Sequence, residues 1–315
     1  MTTDVERLLS DARGGRRASL AKLLTMVERG GLEARRVSAV CHPRGGTAQT
    51  VGITGAPGAG KSTLTNALCT EWRRRAVSVG VLAVDPSSPF SGGAILGDRV
   101  RMGDQALADD VYIRSMATRG HLGGLTVATP DAVDVLDAAG YRRVVIETVG
   151  VGQVEIEVAG AADTTVVVVN PGWGDSVQAN KAGLMEVADV FVINKADRPG
   201  VRETRRDLER MLALSASSGG DAAWTPPIVD AVAIDGRGAA ELADALDAHR
   251  AASEAAGTAD RRRGERARRQ LRDLALAVAR ERWGLRLEGD EFEAVADEVA
   301  QRRCDPWTAA ERLLG

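Results

Sequence analysis

The run Gly55-Ala56-Pro57-Gly58-Ala59-Gly60-Lys61-Ser62 has the spacing G-x-x-x-x-G-K-[ST]. Its glycines let the backbone turn tightly and aim successive N–H groups inward, a concave nest for anionic oxygens. A helix beginning at Ser62 would point its positive end at the same place. Lys61 supplies a charge for β- and γ-phosphate oxygens, and Ser62, with Thr63 beside it, a hydroxyl ligand for Mg²⁺. The context suits the motif. Residues 50–54 read as a buried strand and residues 62–72 as a helix. The chemistry implied is binding of a nucleoside triphosphate.

Asn194-Lys195-Ala196-Asp197 follows the apolar run Val190-Phe191-Val192-Ile193. An aspartate at such a strand end can accept from N1–H and the exocyclic amine of guanine. Adenine presents no such pair, so the wrong base leaves the carboxylate unpaired. Asn194 bonds the base or braces the Gly-rich loop, and the Lys195 stem covers the purine face. Arg143-Val144-Val145-Ile146-Glu147-Thr148-Val149-Gly150 resembles a strand running into D-x-x-G, with Glu for Asp. Glu147 would hold Mg²⁺ and the Gly150 N–H would sense the γ-phosphate. Asp85 ends another apolar run and Asp98 follows in Gly97-Asp98-Arg99, so both are candidates for the metal side. Val151 stands directly after Gly150, and Gln153 is the candidate for orienting an attacking water. Intrinsic hydrolysis is expected to be slow.

Other chemistries find little support. The three histidines (His42, His121, His249) and three cysteines (Cys41, Cys69, Cys304) show neither metal-ligand spacing nor a disulfide framework. A net charge of −3 and a pI near 5.8 argue against a general nucleic-acid binder. The N-terminus lacks the apolar core of a signal peptide, and no run approaches a membrane span, so a cytoplasmic protein is expected. Of 41 basic residues only four are lysine: Lys22, Lys61, Lys181 and Lys195. In a chain that otherwise writes arginine, a retained lysine marks a position where a compact ammonium is needed.

These residues need a scaffold. Leu20, Leu23, Leu24 and Val27 follow helical spacing within a helical stretch of residues 1–43, and Pro43 to Thr47 reads as a linker. Strand-like runs at 50–54, 77–84, 111–114, 143–147, 164–169, 189–193 and 228–233 alternate with helical stretches. Several are continuous Val/Ile runs, as strands buried on both faces are. The expected fold is α/β, with a mostly parallel central sheet between helices and ligands at the carboxyl ends of its strands. Residues 260–273 carry seven Arg against three acids, which reads as a solvated, salt-bridged helix. Apolar stripes follow at Leu271, Leu274, Ala275, Val278 and at Phe292, Val295, Ala296, Val299, with a last helix from about Pro306.

Together the segments GITGAPGAGKST (52–63), AVDPSSPFSGGAILGDRVRM (83–102), IRSMATRGHLGGLT (113–126), ETVGVGQVE (147–155), GWGDSVQANKAGLMEVAD (172–189) and NKAD (194–197) make the chain resemble the MeaB/ArgK-type GTPases. The resemblance covers nearly the whole chain. It implies a P-loop G domain (44–252) between an N-terminal helical extension (1–43) and a C-terminal dimerisation extension (253–315). It further implies GTP/GDP and Mg²⁺ as ligands, and an adenosylcobalamin-dependent acyl-CoA mutase as partner, served in cofactor loading and protection. Lys61, Ser62, Asp85, Asp98 and Glu147 match the family's phosphate and metal positions, and Asn194 and Asp197 its guanine positions. The stretch from Pro171 to Lys181, with Asp175, matches a mobile loop. At the last base-contacting loop Val232-Ala233-Ile234 replaces the usual Ser-Ala, leaving the Ala233 N–H for guanine O6. The alternatives are a P-loop kinase or ATPase of amino-acid transport, which NKAD disfavours, and a nickel-inserting GTPase, for which the chain lacks His-rich or Cys/His sites.

Overall fold

The computed structural model describes residues 2–85, 108–117, 128–148, 154–172, 187–217, 224–284, 287 and 289–314. Seven strands form one sheet: β1 (Gln49–Gly55), β2 (Val79–Asp85), β3 (Val111–Ala117), β4 (Arg143–Thr148), β5 (Thr164–Val169), β6 (Val190–Ile193) and β7 (Ile228–Asp230). Their order is β3-β2-β4-β1-β5-β6-β7. Every neighbouring pair is parallel. Each strand falls on a run expected from sequence. The seventh is shorter than its apolar run, because Val232 turns back to pair antiparallel with Arg237.

Burial on both faces explains the unbroken Val/Ile composition. On one face, Val51, Ile53, Val166 and Val168 pack with Leu64, Leu68 and Trp72 of α4 (Lys61–Arg74) and Leu242 and Leu246 of a later helix, Ala239–Ala255. On the other face lie α1 (Thr2–Arg13), α2 (Arg17–Arg29), α3 (Gly31–Cys41) and α5 (Ala128–Ala138). Leu20, Leu24, Val37 and Leu136 from these helices share a core with Leu82 and Val144. The expected stripe of Leu20, Leu23, Leu24 and Val27 is fully buried there.

Further along that face, α6 (Val154–Ala161) lies on β1, and α7 (Val201–Ser217) contributes Leu208 against Val167, Phe191 and Ile193. A Cβ at Gly52 would run into Val158 and Ala162, so this glycine is what lets α6 and the residue after it approach β1. The helix Ala239–Ala255 is α8. It is followed by α9 (Thr258–Gly284), α10 (Asp290–Ala300) and α11 (Pro306–Leu314).

The chain divides into two compact units, residues 1–263 and 264–315. In the second, Val295 and Ala309 are buried and Arg312 pairs with Glu298 at 2.8 Å. The α11 helix starts at Pro306, as expected. The Asp305 carboxylate accepts from the N–H groups of Trp307 (3.0 Å) and Thr308 (3.1 Å), which caps the first turn.

An acidic seam on α5 fastens the N-terminal helices. Asp131 accepts from Ser38 Oγ at 3.4 Å, Asp134 meets His42 Nδ1 at 2.7 Å, and Asp137 accepts from the N–H groups of Gly46, Thr47 and Ala48. Burial, then the neighbouring Asp134 charge, push the Asp131 carboxyl up to about 6. The hydrogen bond to Asp134 raises His42. Burial also raises Asp134 itself. All three native groups hold protons more tightly than the unfolded chain does. Their stabilisation is therefore present at mildly acid pH and lost as pH rises through their folded values. We expect a higher melting temperature at pH 5.5 than at pH 8. Asp131→Asn, which keeps an acceptor but removes the charge, should add about 1–2 kcal/mol at pH 8 and flatten that step. Thermal melts and urea titrations at the two pH values measure these, and an unchanged stability of the Asp131→Asn protein at pH 8 would refute the assignment.

Candidate functional site

Every described motif residue lies at the carboxyl end of the sheet, where parallel α/β sheets present their crevice. β1 delivers Gly55, and the loop Ala56 to Gly60 leads into α4, whose first residue is Lys61. Gly58 and Gly60 take φ of 74° and 89°, and Gly60 is the left-handed N-cap of α4. The side chain of Lys61 is only 6% exposed. Its ammonium donates to the carbonyls of Gly55 (2.8 Å) and Ala56 (3.1 Å), arched over its own loop. Thr63 is exposed on the first turn.

Asn194, 2% exposed, ties three segments together. Its Nδ2 donates to Ala59 O at 2.8 Å, while its Oδ1 accepts from Lys195 N at 2.8 Å and Ala233 N at 3.1 Å. Of the two roles read for it, the structure displays the brace. The Ala233 N–H, expected to face a base oxygen, is engaged by Asn194 here. A Cβ at Gly60 would strike Asn194 Nδ2. Lys195 takes a left-handed φ of 58°, and its Nζ donates to Gly58 O at 2.6 Å. Asp197 is exposed in the turn beyond. Val232 and Ala233 are buried, whereas Ile234 is 87% exposed beside them.

On the metal side, Glu147, the last residue but one of β4, is almost fully buried and accepts from Ser62 Oγ at 2.5 Å. Two hard oxygen groups thus meet at the first turn of α4, the donor chemistry a small divalent cation takes. The backbone of Asp85 ends β2, paired with Ala117; its side chain lies outside the described residues. Asp98, Gly150, Gln153, Asp175 and Lys181 lie outside them too. Among the described residues, no group of three or more His, Cys, Asp or Glu could hold a metal.

One neighbour was missed from sequence. Asn170 follows β5, and its Nδ2 lies 3.4 Å from Gly58 O, the carbonyl Lys195 also uses. Its place just after the run 164–169 was the available signal.

A Gly-rich loop between a central strand and a helix, with a buried lysine and a strand-end carboxylate, defines a P-loop nucleotide-binding α/β protein. The model of the methylmalonyl-CoA mutase-associated GTPase family MeaB matches residues 20–283. The chain belongs to that family. A Pyrococcus abyssi protein named as a GTPase is 44% identical, covering 98% of this chain and 96% of its own. The mouse (Mus musculus) methylmalonic aciduria type A homolog, mitochondrial, is 36% identical over 77% of this chain and 62% of its own. The crystal structure of a LAO/AO transport system kinase superposes with a TM-score of 0.68 at 27% identity, covering 99% of this chain and 96% of that one. Among the described residues, no helix is long and apolar enough to cross a membrane.

The Asn194 tie should be measurable without any ligand. Asn194→Ala leaves Ala59 O and two N–H groups without their partner, at about 1–3 kcal/mol for each one that stays buried. We expect a loss of at least about 2 kcal/mol in urea unfolding of the nucleotide-free protein. A loss within error of zero would mean the three segments hold their arrangement without it.

Proposed function

We propose that this protein is a slow GTPase that assists an adenosylcobalamin-dependent acyl-CoA mutase, in cofactor loading and in protection. The observation that carries the proposal is the family match over residues 20–283, whose description is that of a mutase-associated GTPase. The mouse relative's name points to the same metabolism.

In this reading the loop from Gly55 to Ser62 wraps the phosphates with its N–H groups and the N-terminus of α4. Lys61 exchanges its loop carbonyls for β- and γ-phosphate oxygens. Asn194, Lys195 and Asp197, with Val232-Ala233-Ile234, form the guanine end. Asp197 pairs with the base donors, and Asn194 keeps that end at a set distance from the phosphate loop. Ser62, Glu147, Asp85 and Asp98 would hold Mg²⁺, and the Ser62–Glu147 contact supports that fit. Mg²⁺, when bound, neutralises charge on the β- and γ-phosphate oxygens. Gly150 senses the γ-phosphate, Gln153 orients the attacking water, and Asp175 and Lys181 lie on a loop that responds to nucleotide state. The exposed Leu271 (70%) and Trp283 (43%) on α9 support self-association through residues 253–315 as a homodimer.

A switch can act on a mutase only if its GTP and GDP forms bind that mutase with different affinity. Pull-downs with methylmalonyl-, ethylmalonyl- and isobutyryl-CoA mutases, using GTP- and GDP-loaded protein, should give nucleotide-dependent capture of one of them. Equal or absent capture throughout would reject the chaperone reading. Asp197→Asn should weaken GTP by at least about tenfold and XTP far less, because xanthine carries a carbonyl where guanine has its amine. Equal loss for both nucleotides would show that the base pocket is elsewhere. Single-turnover hydrolysis by the isolated protein should be slow, since Val151 rather than a glutamine follows Gly150, and a fast rate would overturn that expectation.

A further inference from the structure

The amino ends of the strands, opposite the phosphate loop, hold a buried polar network with no part in the chemistry above. Asp189, just before β6, is 4% exposed, and His249 of α8 is 2% exposed. Asp189 Oδ1 lies 2.9 Å from Arg262 Nη2 and 3.2 Å from His249 Nε2. Its Oδ2 accepts from Arg262 Nη1 at 3.0 Å and from the Thr165 N–H at 2.8 Å. Trp224 Nε1 donates to the Asp189 carbonyl at 2.8 Å, and Arg262 Nη1 also reaches Asp163 O at 3.2 Å. Burial alone would raise the Asp189 carboxyl, but His249 and Arg262 hold it below the usual range.

His249 Nδ1 lies 2.8 Å from Thr164 Oγ1, which accepts from Gln49 Nε2 at 3.1 Å, and His249 Nε2 also lies 3.1 Å from Ser253 Oγ. The network thus joins the first residues of β1 and β5, the residue before β6, α8, and the first turns of α9.

Asp189 is separated from Asn194 only by the four residues of β6, all fully buried and paired with β5, the last three also with β7. A displacement at the base of so short and close-packed a strand would be carried to the Asn194 brace at its other end.

We propose that Arg262 and Asp189 are a positioning pair for the guanine end of the site, acting through β6. Nucleotide occupancy and the anchoring of the first turns of α9 are therefore thermodynamically linked, each stabilising the other. This inference rests on the guanine-nucleotide reading above.

The test combines GDP titration with amide hydrogen exchange. In the wild-type protein, GDP should slow exchange in a peptide covering residues 258–263. Arg262→Ala should weaken GDP by at least about fivefold and abolish that slowing, with Arg262→Lys between the two. A folded Arg262→Ala protein that binds GDP within twofold of wild type would overturn the inference. So would an exchange rate in wild-type residues 258–263 that ignores GDP, a readout that needs no variant to fold. Failure of the wild-type protein to bind GDP at all would instead reject the nucleotide reading, and this inference with it.

Discussion

The Asn194 carboxamide is the contact on which the site's geometry depends. With one donor and one acceptor it holds the phosphate loop at Ala59, its own following turn at Lys195, and the loop at Ala233. Those three segments lie far apart in sequence and leave different strands. Without a fixed spacer, the phosphate end and the base end of a nucleotide site could drift relative to each other. A misplacement of an ångström is enough to lose much of the benefit of a preformed site. Gly60 is part of the same constraint, since any side chain there would displace the amide.

The sheet supplies the rigidity that such a contact requires. β1, β4, β5 and β6 are buried along their lengths, so the residues that follow them emerge from a close-packed base. Glu147 and Ser62 meet because β4 runs beside β1, with Glu147 paired in register to Ile53, and β1 feeds α4. The three N-terminal helices share a core with β2 and β4, and the α5 seam ties them to the linker before β1.

Much of this was legible in the residues. Apolar runs marked all seven strands, and several were unbroken Val/Ile, because strands covered on both faces have no polar side to show. The glycine spacing marked the phosphate loop, because few other sequences allow that turn. Pro306 marked the start of α11, and the structure adds Asp305 as its cap. The role of Asn170 was not legible, since a lone asparagine after a strand has no signature until the loop it touches is folded beside it. His249 carries no motif either. Its environment comes from Asp189, Thr164 and Ser253, which only the fold gathers around it.

Sequence by itself determined the candidate chemistry: a glycine-rich loop with phosphate-binding spacing, a carboxylate near a strand end, the tetrapeptide Asn194-Lys195-Ala196-Asp197, and an aliphatic parallel sheet to carry them. Those are local features, set by spacing and side-chain type. Tertiary structure decided the strand order, the three-way tie of Asn194, the resting place of Lys61 on its own loop carbonyls, and the burial of Asp189 against Arg262. Each of these joins residues distant in sequence or depends on what surrounds them. Hydrogen-bond geometry and burial exist only once the packed sheet has set the distances between them.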